Sequence, residues 1–106
     1  MTRRLLTDFE IMILLAILRV GEDAYGVPIA REIEETAGRT VQLPAVYAAL
    51  DRLEAQGLVT SRLGEATPQR GGRAKKYFAL TDAGVGSVRD TRKALTALWS
   101  RLPQIA

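Results

Sequence analysis

Between Arg62 and Lys76 the chain carries five cations, Arg62, Arg70, Arg73, Lys75 and Lys76, against a single acid, Glu65. The segment therefore holds a net charge of +4 in a chain whose total is +3. A local excess of this kind marks a surface for anions rather than general solubility. Gly71 and Gly72, at the centre of the run, let the backbone turn tightly and lie close to a partner. Such side chains hold phosphate by charge and release counterions as they do so, without reading sequence. An arginine-bearing tip also suits the potential of a narrow minor groove. A solvated hairpin tip kept soluble by its charges would show the same composition.

Other chemistries find little to work with. There is no cysteine and no histidine, which excludes the usual Cys/His zinc sites, thiol chemistry and any nucleophile served by an imidazole base. No paired acids stand near a Gly-rich phosphate loop or at metal-ligand spacing. The residues predict no enzyme, no cofactor and no metal. A length of 106 residues allows one compact domain with a core, and 47% apolar with 25% charged residues is the balance of a folded chain. No apolar run is long enough to cross a membrane, and Asp8 and Glu10 stand where a signal peptide would be apolar. The expected compartment is the cytoplasm.

The cations must be positioned by the elements around them. Thr7 and Glu10 form a capping box, with Leu6 and Ile11 as its staple, and open a helix that should run from Asp8 to Val20 and stop at Gly21. Phe9, Met12, Ile13, Ala16, Ile17 and Val20 make one apolar stripe, while Ile11, Leu14, Leu15 and Leu18 fill the other side. A helix apolar all round needs cover on both sides, and in so small a protein a second subunit would supply it. A second helix follows, with Pro28 in its first turn and Gly38 as its stop; Val27, Ala30, Ile33 and Ala37 mark its inner face, with Ile29 beside it.

The third helix should run from Pro44 to Gln56, with Val46, Ala49, Leu50 and Leu53 inward. At about 1.5 Å per residue it spans roughly 20 Å, enough to lie across a major groove. Its outer side offers Ala45, Tyr47, Ala48, Asp51, Arg52 and Gln56. Small side chains early in such a helix permit close approach to base edges, and Arg52 suits guanine or phosphate. An ordinary amphipathic helix would look the same, and Asp51 and Glu54 would oppose phosphate. Segments 58–63 and 75–80 read as the strands of a hairpin whose long tip is the basic run. Thr81 then caps a last helix reaching about Leu102. Val85, Val88, Arg92, Leu95, Trp99 and Leu102 alternate steps of three and four along it, an apolar seam broken once by Arg92.

Helix, helix, helix, strand, strand, helix is the order of a winged helix-turn-helix with a C-terminal helix appended: a mainly α fold with a small β-hairpin. The chain resembles the PadR family of transcriptional regulators. The resemblance is carried by "DAYGVPIAREIEE" (23–35), "PAVYAALDRLEAQGLV" (44–59) and "RGGRAKKYFALTDAG" (70–84). It implies a winged helix-turn-helix DNA-binding domain over residues 1–80 and a dimerisation helix over 81–106. The implied function is that of a homodimeric regulator, usually a repressor, on inverted-repeat double-stranded DNA. It assigns DNA contact to Tyr47 and Arg52 on the third helix and to Arg70, Arg73, Lys75 and Lys76 on the wing; the reading of the residues adds Pro44, Ala45 and Ala48 early in that helix, and Gly71 and Gly72, as positions that permit close approach. Leu14, Leu18, Val85, Val88, Arg92, Leu95, Trp99 and Leu102 become the dimer contacts. Gln42 and Pro44 depart from the family, which often has Ser and Gly there. Trp99 reads first as dimer core, but some small PadR-like proteins hold planar hydrophobic ligands between subunits, which makes it a candidate contact for an aromatic effector. A winged-helix module that binds another protein instead of DNA is the alternative.

Overall fold

The computed structural model describes residues 5–64 and 75–103. Arg70, Gly71, Gly72 and Arg73, from the basic run of the sequence, lie outside the described residues. Helix α1 spans Asp8–Val20, with the Thr7 hydroxyl accepting from the Glu10 amide at 3.2 Å and the Glu10 carboxylate accepting from the Thr7 amide at 2.8 Å. Gly21 ends it at φ 84°, where a side chain would be strained. A 3₁₀ turn, Gly21–Asp23, leads to α2, Gly26–Glu32, whose last turn widens into a π-helical turn, Ile33–Ala37, closed by Gly38 at φ 72°. Pro28 is the third residue of α2, where its missing N–H costs nothing.

Helix α3 is Leu43–Ala55, one residue earlier at each end than its sequence suggests. Strands β1, Val59–Leu63, and β2, Lys76–Leu80, pair antiparallel with Val59 opposite Leu80 and Leu63 opposite Lys76. Helix α4 runs from Asp82 to Trp99, about 27 Å at 1.5 Å per residue.

The core lies where α1, α2, α3 and the inner face of the hairpin meet. Ile13, Leu14, Ile29, Val46, Leu50 and Leu53 are fully buried there, and Val59 and Phe78 close it from the hairpin. Each of the larger ones contributes about 1.5–3 kcal/mol by leaving water. Burial corrects two readings. Leu14 belongs to the protomer's own core and has no surface to give a second subunit. Along α2 and the π-helical turn that follows it the inner face is Gly26, Ile29, Ala30 and Ile33, while Val27 and Ala37 are exposed.

Two junctions set the direction of α4. The Thr81 amide donates to the Leu58 carbonyl at 3.0 Å, and the Thr81 hydroxyl donates to the Gly57 carbonyl at 2.6 Å and accepts from the Gly84 amide at 3.1 Å. Gly84 lies so close to the Leu58 carbonyl that a methyl group there would overlap a backbone atom. About two turns further on, the buried Thr91 hydroxyl accepts from the Leu6 amide at 3.1 Å. Gly84, Val88 and Thr91 are thus the stripe that α4 turns toward its own protomer.

Candidate nucleic-acid interface

The helix-turn-helix is made by α2 and α3. Val46, Ala49, Leu50 and Leu53 turn inward as the spacing requires, which leaves Pro44, Ala45, Tyr47, Ala48, Asp51 and Arg52 on one exposed side of α3. That side is small in its first turn and cationic at Arg52 toward its end. Gln42 stands before the helix in extended backbone (φ −90°, ψ 138°) and makes no capping bond with its side chain. Tyr47 is 42% exposed, and its ring covers the backbone of Gly26, where even a methyl group would collide with it. The absence of a side chain at Gly26 therefore lets α3 close against the start of α2.

The hairpin stands beside this surface, and its neck is tied to the helices on both faces. On the inner face Glu54 of α3 accepts from the Ser61 hydroxyl at 2.6 Å and lies 3.5 Å from the Lys76 ammonium, which is also 5.6 Å from the centre of the Phe78 ring. The Ser61 hydrogen bond, and after it Lys76, hold the Glu54 carboxyl below its ordinary value against a partial loss of hydration. Glu54 is thus committed to the hairpin. Asp51 remains exposed on the side of α3 that carries Arg52.

On the outer face Arg62 stands 4.6 Å over the Tyr77 ring and donates to the Glu22 carbonyl at 3.2 Å. Tyr77 meets Tyr25 edge to face, with ring centres 5.8 Å apart. The Lys75 ammonium lies 4.4 Å from the centre of the Tyr25 ring and donates to its hydroxyl at 3.3 Å. The Phe78 amide adds a backbone bond to the Ala24 carbonyl at 2.8 Å. Lys75 and Lys76 therefore begin with partners in the protein, and each ammonium has three donors with which to meet a phosphate as well. Tyr25, Tyr77 and Arg62 carry the neck, yet sequence reading counted Arg62 only among the cations of the basic run and singled out neither tyrosine as a site. The signal was present only in part: Arg62 and Tyr77 face each other across the two strands.

The outer half of α4 carries the other surface. Leu95, Leu98 and Trp99 are 53%, 73% and 70% exposed, continuing the Gly84, Val88 and Thr91 side beyond the edge of the body. Val85 is half-buried and Arg92 is exposed beside Arg89 and Lys93. Val88 is partly covered by its own core. Leu102 is not on the helix: α4 ends at Trp99, Ser100 is extended and Arg101 has φ 64°. The seam is therefore shorter than its heptad spacing suggests. On α1, Leu15 and Leu18 are exposed and border an apolar groove with Met12, Ile33 and Ala37.

The model of the PadR-like family of transcriptional regulators matches residues 14–90, from the middle of α1 to the middle of α4. The chain belongs to the PadR-like family. Its fold is that of solved relatives. The H. salinarum protein RosR is 30% identical, over 92% of this chain and 81% of that one, with a TM-score of 0.68. A PadR-like transcription factor from Bacteroides fragilis is 25% identical over 85% and 82% of the two chains, with a TM-score of 0.70. A PadR-like transcriptional regulator from Bacillus cereus shares 22% identity over 87% and 84%, with a TM-score of 0.69. No curated protein shows significant sequence similarity to the chain. The PadR assignment makes this a DNA-binding transcriptional regulator with a winged helix. Among the described residues no helix is long and apolar enough to cross a membrane.

Proposed function

We propose that this PadR protein is a cytoplasmic repressor that binds an inverted-repeat operator as a homodimer. In this reading residues up to about 80 are the DNA-binding part and the helix after them joins the subunits. One observation carries it: α4 runs past the body of its protomer with Leu95, Leu98 and Trp99 uncovered, while the α3 face that suits a major groove is also bare. Large contiguous apolar surface on a soluble chain marks an interaction site. A second copy would cover it, packing its own α4 against these residues, Leu18 and the apolar groove on α1. The cyclic symmetry of such a pair presents two recognition helices to DNA of matching symmetry.

Each α3 would enter a major groove, with Ala45 and Ala48 against base edges and Arg52 on guanine or phosphate. Tyr47 would offer its hydroxyl to the backbone. Arg70 and Arg73 at the tip, with Lys75 and Lys76 behind them, would hold flanking phosphates, and Gly71 and Gly72 would let the tip come close. With Glu54 held by Ser61 and Lys76, less opposes phosphate on α3 than the sequence suggests.

A gel-shift assay with duplex from the protein's own upstream region tests the reading. Retardation that weakens steeply with salt is expected. No retardation of any duplex at low salt would favour the protein-interaction module instead. The exposure of Trp99 also supports a planar aromatic effector between the subunits. As the chain's one tryptophan, it should report such a ligand by a change in fluorescence, and a broad panel of flat aromatics without effect would exclude that role.

A further inference from the structure

We propose that Tyr25 and Tyr77 are positioning residues for DNA binding. With Arg62 and Lys75 they form a ladder of two rings in series with a cation at each end, which fixes the hairpin neck to the start of α2, so that wing and recognition helix meet DNA as one body. The inference rests on the DNA-binding function described above.

A two-stranded hairpin is at best marginally stable by itself, and its direction relative to the helices is set by what its neck touches. Here the inner face is tied to α3 through Glu54. The outer face has the ladder: Arg62 at 4.6 Å over Tyr77, Tyr77 at 5.8 Å from Tyr25, and Lys75 at 4.4 Å from Tyr25. Its spacings are those of favourable cation–ring and edge-to-face ring contacts. Gly64 keeps the space open, since a side chain there would stand where the Tyr77 ring lies. At the other end Tyr25 directly precedes α2, and the next residue, Gly26, carries the Tyr47 ring of α3 on its backbone. Packed contacts therefore run without a break from the recognition helix through α2 to the wing strand. Core packing of the hairpin falls to Val59 and Phe78 instead, while both ladder tyrosines are only half-buried. Loss of the ladder should redirect the wing without unfolding the domain.

The test uses the full chain on a duplex that the wild type retains. Hydroxyl-radical footprinting reads the flanking backbone and guanine-methylation interference reads the major groove. Tyr25→Leu should lose protection of the flanks and bind about tenfold more weakly, with the salt slope falling by about 1 for each phosphate released. The major-groove interference pattern and a single cooperative melting transition should remain. Tyr25→Phe, which keeps the ring and loses only the hydroxyl, should restore the flanks. Should Tyr25→Leu fail to fold, Tyr77→Leu breaks the ladder from the wing side and should give the same selective loss. Flank protection unchanged in a folded variant would overturn the inference, as would loss of flanks and major-groove contacts together, the mark of a merely structural role. Absence of any complex with the wild type would instead overturn the DNA-binding function, and this inference with it.

Discussion

Glu54 shows how a single side chain can reverse its apparent meaning. Taken from the sequence it is a negative charge on the helix that should face DNA, yet the Ser61 hydroxyl and the Lys76 ammonium engage it. These partners lower its pKa below the ordinary value of 4.5, so the folded state binds a proton less readily than the unfolded state. The resulting stabilisation is complete above that value and is lost as pH falls through the lowered one. Denaturant unfolding followed from about pH 7 to about pH 3 should therefore show a shallower acid-side loss of stability for Glu54→Gln than for the wild type. Equal slopes would remove Glu54 from the neck. Gly84 is the opposite case, a residue defined by what it lacks. Gly84→Ala would drive a methyl group into the Leu58 carbonyl, and backbone cannot give way as a flexible side chain does. A loss of about 1–3 kcal/mol in chemical denaturation is expected, the range for overpacking.

Among the elements, those with local punctuation were legible in the sequence. The Thr7–Glu10 box and Gly21 bound α1 at both ends, Gly38 closed the turn after α2, and the inward face of α3 followed from its spacing. What escaped depends on contacts between distant residues. The α4 seam was read from the spacing of apolar residues with Arg92 as its one break, whereas the protomer itself is held by Gly84, through close approach, and by Thr91, through a hydrogen bond. Neither signal is visible in hydropathy. The inner face of α2 was shifted for a similar reason, because Gly26 is buried beneath a tyrosine from another helix. The wing neck joins residues 25, 62, 75 and 77, and no local pattern brings the first of these to the others. The proposed role of the wing makes an element-scale prediction. Arg70→Ala with Arg73→Ala should weaken binding to all duplexes and lower the salt slope by about 1 for each phosphate that the tip no longer neutralises. An unchanged slope would take the tip out of the interface.

For the whole molecule, the proposed dimer joins the two surfaces: the uncovered half of α4 holds the subunits, and their separation sets where two copies of α3 fall on DNA. Leu95→Glu with Leu98→Glu should give a folded monomer in sedimentation velocity, since both side chains are already in water in the protomer, and operator binding should be lost with dimerisation. A variant that still sediments as a dimer would place the subunit contact elsewhere. An effector could then act only by binding one dimer geometry better than another. Selection of bound fragments from random DNA by the purified protein addresses symmetry and sequence preference at once. The dimer predicts a two-fold symmetric motif whose half-sites are centred about one helical turn, roughly 34–36 Å, apart. Recovery of a single asymmetric half-site, or of no enriched sequence at all, would contradict it.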